Sequence, residues 1–335
     1  MSPSYDALLL VSFGGPECAE DVMPFLKNVA RGRNIPEARL KEVAEHYYHL
    51  GGRSPINDHC RALKKALQDE LSRRGYRLPV YWGNRNWHPF LEEAIDEMVK
   101  NGVRRALAVV TSVFGSYSSC RRYLEDLTRA REACGAATLE IDRLRLPFNH
   151  PGFVAAMTDR VREAHEAAKK AGFASIHLVF TAHSIPMAMA AGAPYVMQFE
   201  EASRLVAEAA GFTTWQLAYQ SRSGPPHVPW LEPDILDVLR SIAETERAGA
   251  VLVAPIGFLS DHVEVLYDLD VEAAGLAREL GIGFFRAGTV GTHPTFVAGL
   301  CEMIEERLNG RPERRAIGQL PACADVCPVD CCPPG

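Results

Sequence analysis

The sixteen residues from Gly257 to Glu272 read GFLSDHVEVLYDLDVE and carry five carboxylates: Asp261, Glu264, Asp268, Asp270 and Glu272. Glu264, Asp268 and Glu272 recur at every fourth position, so on a helix they share one edge. Like charges at that spacing repel, which makes the row locally unfavourable. A solvated acidic helix face needs no function. Here, however, Val263, Val265, Leu266 and Tyr267 interleave the acids, and a strand expected to be buried precedes them. A row of carboxylates held in a cleft guides a divalent cation or relays protons.

His183 is the second chemical candidate. It ends the apolar run SIHLVFTAH and precedes Ser-Ile-Pro. Inside a strand a histidine is ordinarily a satisfied core residue. At the carboxyl end it is placed to accept a proton or to bind a borderline metal such as ferrous iron. The loop QSRSGPPHVPWLEPD, from Gln220 to Asp234, is stiffened by its prolines and offers Trp230 as a flat apolar wall. The loop GGRSPIN, from Gly51 to Asn57, contains Ser54. Together with Arg31, Arg33 and Tyr123 it supplies donors for carboxylates, and arginine suits such contacts because its fork is bidentate.

Nine cysteines are distributed unevenly. Cys18, Cys60, Cys120, Cys134 and Cys301 are scattered. Cys323, Cys327, Cys331 and Cys332 fall within PACADVCPVDCCPPG at the end of the chain. Four such thiolates suit a 2Fe-2S cluster or structural zinc, and ligand chemistry alone does not separate the two. A tail with free thiols is the bland alternative.

These residues need elements to hold them. Short β-rich runs alternate with amphipathic stretches. In the first half the runs are Tyr5 to Phe13, Pro79 to Asn84, Arg105 to Ser112 and, more weakly, Leu139 to Leu144. After Pro151 the pattern restarts with Ser175 to His183, Trp215 to Gln220, Ala248 to Ile256 and Ile282 to Arg286. Helical patterns lie between them, over Phe90 to Lys100, Phe153 to Ala171, Phe199 to Ala210, Asp234 to Arg247 and Pro294 to Leu308. Nearly continuous apolar strands separated by helices imply parallel sheets buried on both faces. The expected fold is therefore α/β, with two similar lobes. Residues 1–150 form the first and 151–310 the second, its last helix free to pack back on the first, and 311–335 form the cysteine-rich tail. Strand carboxyl ends in such sheets bind ligands, so a cleft between the lobes is expected.

The 335 residues suit two such lobes, and the 47% apolar and 23% charged fractions are those of an ordinary globular protein. A formal net charge of −6 argues against a general nucleic-acid binder. No apolar run approaches the roughly 18 residues of a membrane span. The start lacks the pattern of a signal peptide, so a cytoplasmic location is expected. Neither G-x-G-x-x-G nor G-x-x-x-x-G-K-[ST] occurs, which disfavours a dehydrogenase or a P-loop nucleotide-triphosphatase.

Six segments together resemble the ferrochelatases over nearly the whole chain: LLLVSFGGPE, GGRSPIN, YWGNRNW, TAHSIP, YQSRSGPP-x-VPWLEP and GF-x-SDHVEVLYDLD. The resemblance implies two Rossmann-like, chelatase-like lobes and insertion of ferrous iron into a porphyrin in heme biosynthesis. It places the family's active-site histidine at His183 and the opposing glutamate at Glu264, both toward iron, with Asp268 and Glu272 behind them on an irregular helix. It makes Phe13, Ser54, Tyr123 and Trp230 macrocycle-lining residues and Arg31 a propionate-binding arginine. Several relatives carry tyrosine where this chain has Phe13, and a phenyl ring cannot ligate metal. It also favours a 2Fe-2S cluster on Cys323, Cys327, Cys331 and Cys332, with Cys120 as the alternative ligand because adjacent Cys331 and Cys332 are awkward together. The polar segment after Gly15 leans the porphyrin toward coproporphyrin III, with protoporphyrin IX next. A cobalt-inserting chelatase of the same fold and a non-enzymatic bilobal tetrapyrrole-binding protein are the alternatives. The expected state is monomer or homodimer.

Overall fold

Sequences such as ALLLVS and AVLVA have no polar face to offer water, so they are stable only with cover on both sides. The computed structural model describes residues 5–32, 35–225, 227–245, 249–328 and 331–334. Arg33, Arg247, Ala248 and parts of the tail, at 329–330 and 335, lie outside them.

Two four-stranded parallel sheets form. The first contains β1 (Ala7–Ser12), β2 (Val80–Asn84), β3 (Arg105–Val110) and β4 (Glu140–Arg143), in the order β2-β1-β3-β4. The second contains β5 (Ile176–His183), β6 (Trp215–Gln220), β7 (Ala250–Ala254) and β8 (Gly283–Arg286), in the order β6-β5-β7-β8. The two connectivities are the same, so the halves repeat in topology.

Contacts divide the chain into two units that are not contiguous in sequence. One comprises the residues up to Thr111, Arg122–Leu144 and Cys301–Glu313. The other comprises Ser112–Arg121, Arg145–Leu300 and the residues from Arg314 on. In the first unit, alternate residues of β1 and β3 (Leu9, Val11, Ala106, Ala108) pack with Leu91, Ile95 and Met98 of the helix Leu91–Lys100. In the second, Val251 and Val253 of β7 pack with Val238, Leu239 and Ile242 of the helix Ile235–Thr245 and with Val265 and Leu269. Burying such side chains is worth about 1.5–3 kcal/mol each and fixes where the strand ends emerge.

The helices Ala19–Val29, Glu37–His49, Ile56–Arg73, Arg122–Ala133 and Met187–Ala191 were not anticipated. Ala19–Val29 contains Pro24 but still buries Val22, Phe25 and Leu26 on one stripe, so packing overrides the proline. Among the described residues no helix is long and apolar enough to cross a membrane.

Candidate active site

Three strand ends of the second unit build the candidate site. β5 ends on His183, β6 ends on Gln220, and β7 leads through Gly257 into a helix beginning at Val263. That helix starts as α over Val263–Val265, widens to π over Leu266–Ala273, and returns to α over Ala274–Glu279. π-segments are uncommon and recur at functional sites.

His183 is anchored by its surroundings. Its carbonyl accepts from the Tyr195 hydroxyl at 2.8 Å. Its Nδ1 lies 2.5 Å from the Ser184 carbonyl, which can only accept, so Nδ1 carries the proton of the neutral ring. The Nε2 lone pair is then available, and it faces Glu264 Oε2 at 3.8 Å. Their side chains are 31% and 46% exposed, so neither is sealed in the core. A carboxylate beside an imidazole stabilises the imidazolium that forms when Nε2 takes a proton.

Asp268 lies behind Glu264. The Ser221 hydroxyl donates to its Oδ2, and Gln220 Nε2 donates to the same oxygen at 3.4 Å and to the Glu264 carbonyl at 3.3 Å. Ser221 holds a left-handed backbone, φ 62°, which a non-glycine residue rarely adopts. Burial pushes the Asp268 carboxyl up to about 7. The like charges of Glu264 and Glu272 add to this, while the Ser221 and Gln220 hydrogen bonds oppose it. Glu272 is raised by burial and then by Asp234. Asp268 can thus hold and release a proton near neutral pH.

The other two acids of the segment are differently placed. Arg286, at the end of β8, forks onto Asp270 at 2.6 and 3.0 Å and reaches Asp261 at 3.2 Å. Among the described residues no lysine or arginine pairs with Glu264, Asp268 or Glu272.

Trp230 is half-buried in the same unit. The strip around it pairs with the segment after His183: Met187 N donates to the Pro229 carbonyl at 3.0 Å and Leu231 N to the Ile185 carbonyl at 3.0 Å. Gly224 lies so close to the indole that a Cβ there would overlap the ring. Phe13, Arg31, Ser54 and Tyr123 belong to the first unit. Tyr123 is only 5% exposed, and the Arg85 guanidinium lies over it, 4.4 Å from the ring centroid. The same guanidinium is 5.8 Å from the Phe13 ring. Ser54 is buried, with its N–H on the Pro16 carbonyl at 2.9 Å. Arg31 is exposed and donates to Asn28 at 2.6 Å.

Sequence reasoning placed Arg85 and Ser221 only among polar strand ends, without a role, and did not single out Tyr195 or Arg286. Arg85, Ser221 and Arg286 stand at or just past strand carboxyl ends, and that position was their signal.

The tail belongs to the second unit. The buried Glu201 carboxylate accepts from the N–H groups of Gln319 and Leu320, and Asn149 Nδ2 donates to the Leu320 carbonyl at 2.8 Å. Gln198 bridges Cys323 Sγ, at 3.2 Å, to the Gly115 N–H, at 2.8 Å. Gly115 precedes a second π-segment, Tyr117–Arg121, which holds the buried Cys120. Cys331 and Cys332 have sulfurs 3.5 Å apart, and none of the cysteines is in a disulfide. Among the described residues, no three His, Cys, Asp or Glu are gathered to hold a metal ion. The geometry therefore supplies no assembled ligand set for the expected 2Fe-2S cluster.

Against this geometry, the Ferrochelatase family model matches residues 5–308. The chain belongs to the ferrochelatase family. It is thus an enzyme, a lyase that inserts metal into a porphyrin. It is 51% identical over 330 residues to the ferrochelatase of Rhodopirellula baltica, covering 98% of this chain and 94% of that one. It is 49% identical to the coproporphyrin III ferrochelatase of Streptomyces griseus, covering 98% and 93%. Among solved structures, SirB from Bacillus subtilis with Fe3+ aligns at a TM-score of 0.55 and 12% identity over 91% of this chain and 97% of that one. DR2241 from Deinococcus radiodurans, described as similar to chelatases, aligns at 0.51 and 15% identity over 94% and 57%. At those identities the likeness concerns the fold, and it agrees with two Rossmann-like, chelatase-like lobes.

Proposed function

We propose that this ferrochelatase inserts ferrous iron into coproporphyrin III, with His183 and Glu264 as the central catalytic pair. The carrying observation is the 3.8 Å approach of His183 Nε2 to Glu264 Oε2, at partly exposed strand ends. Insertion exchanges two pyrrole N–H protons for one Fe2+, and no electron is transferred. The His183 Nε2 lone pair accepts the two pyrrole protons in turn, handing on the first before it takes the second, and Glu264 stabilises the imidazolium each time. Asp268, with its carboxyl near 7, takes the proton on, and Glu272 passes it toward solvent. The same unneutralised carboxylates attract the hydrated cation. Trp230 lies against the macrocycle. Phe13, Tyr123 and Ser54 are assigned to the same porphyrin, and Arg31 to a propionate. Coproporphyrin III rests on the names of relatives at 45–50% identity and on the polar segment after Gly15. Anaerobic incubation with Fe2+ and each porphyrin, followed by absorption, tests this directly. Coproporphyrin should turn over faster than protoporphyrin, and His183→Ala should lose roughly 10²–10⁴-fold. Faster turnover of protoporphyrin would reverse the substrate assignment. Near-normal insertion by His183→Ala would reverse the catalytic one.

For the tail we propose a 2Fe-2S cluster on donor chemistry alone. Cys323, Cys327, Cys331 and Cys332 would hold it, with Cys120 replacing one of the adjacent pair. The support for that replacement is the Gln198 bridge from Cys323 to Gly115, five residues before Cys120. The cluster would tether the tail and takes no part in metal insertion. Two irons and two acid-labile sulfides per chain are the expected result; zinc, or neither metal, would overturn it.

A further inference from the structure

The segment Gly257 to Glu272 carries five carboxylates, yet the structure divides them. Arg286 holds Asp261 and Asp270, while Glu264, Asp268 and Glu272 share one edge with no such cation among the described residues. We propose that Arg286 is a positioning residue for iron insertion: by tying Asp261 and Asp270 to the end of β8, it sets the rotation of the π-helix that carries the other three acids. This inference rests on the iron-inserting reading above.

The geometry supports positioning over simple neutralisation. Asp261 precedes the helix and Asp270 lies within its widened part, so a single guanidinium grips it at two points. The grip on Asp270 is bidentate, with Nε at 2.6 Å and Nη2 at 3.0 Å, which fixes the carboxylate's plane as well as its distance. Arg286 Nη1 also donates to the Ala287 carbonyl at 3.3 Å, so the guanidinium is itself anchored to the strand end. Its side chain is only 15% exposed, which limits screening and alternative rotamers. A π-segment is rare and recurs at functional sites, so what anchors it bears on the site it carries. From the opposite side, Gln220 and Ser221 hold Asp268. The helix is thereby held from two strand ends, at Asp261 and Asp270 from β8 and at Asp268 from β6.

The two roles predict opposite results. If Arg286 only offset charge, its loss would make the segment more negative and lower the KM for Fe2+. If it positions the row, kcat falls while the KM for the porphyrin stays. Steady-state iron insertion into coproporphyrin III is measured for wild type, Arg286→Gln and Arg286→Lys. We expect kcat to fall roughly ten- to a hundredfold in both variants, because lysine keeps the charge but not the fork, with porphyrin KM within about twofold. If Arg286→Gln does not fold, Arg286→Lys carries the test. Full activity in Arg286→Lys, a lowered iron KM with unchanged kcat in Arg286→Gln, or parallel changes in both substrates' KM would each overturn the inference. A wild-type protein that inserts no iron would instead defeat the reading on which it rests.

Discussion

The two units share a strand order but treat charge at the ends of their corresponding strands β2 and β6 in opposite ways. In the first, Arg85 follows β2 and pairs at 2.5 Å with the buried Asp126, which Arg129 also reaches at 2.6 Å. In the second, Asp268 lies behind the end of β6 with only hydroxyl and amide donors, beside Glu264 and Glu272. Topology thus supplies two equivalent rims, and on the proposed function charge pairing decides which one is suited to proton and cation chemistry.

The contrast is broken most severely at Arg85. Replacing it with alanine leaves Asp126 buried with fewer partners and uncovers Tyr123. We expect about 3–5 kcal/mol of lost stability by denaturant unfolding. A loss under about 1 kcal/mol would remove the distinction between the rims.

The reverse sign is expected at Asp268. Its folded carboxyl sits at about 7, against about 3.9 in the unfolded chain. Between those values the folded protein holds more protons than the unfolded one, so stability falls as pH rises through that window. Asp268→Asn removes the penalty. It should gain on the order of 2–3 kcal/mol at pH 8 and nothing at pH 4, while slowing insertion. Equal stabilities at both pH values would show that the carboxyl is not raised.

Two smaller effects sharpen the picture. Glu201→Gln weakens the hold on Gln319 and Leu320. It should cost about 1–2 kcal/mol and expose the tail to limited proteolysis without changing iron insertion. Gly224→Ala should displace the Trp230 indole and raise porphyrin KM by roughly three- to tenfold, with under about 1 kcal/mol lost in stability. An unchanged KM would remove Trp230 from the macrocycle.

Most of the eight strands were legible because their apolar runs are nearly unbroken, while β4, EIDR, gave a weaker signal; the expected run Tyr5 to Phe13 and the observed β1 differ by a residue or two at each end. The helices before β2 were not legible. Ala19–Val29 is interrupted by Pro24, and Ile56–Arg73 begins inside GGRSPIN, where glycine and proline suggest a loop. His183 and Glu264 could be picked out one by one from strand-end position and charge spacing. Their meeting could not, because 81 positions separate them in the sequence. Arg286 was hidden for the same reason: its partners lie one β-strand away in space but 16 and 25 positions away along the chain.

A double-mutant cycle on iron insertion by His183→Ala, Glu264→Gln and their combination tests the pair most directly. The account predicts a large loss in each single variant and a double variant little worse than the poorer of the two, as for groups that act as one unit. Near-normal insertion in either single variant, or losses that multiply in the double, would contradict it.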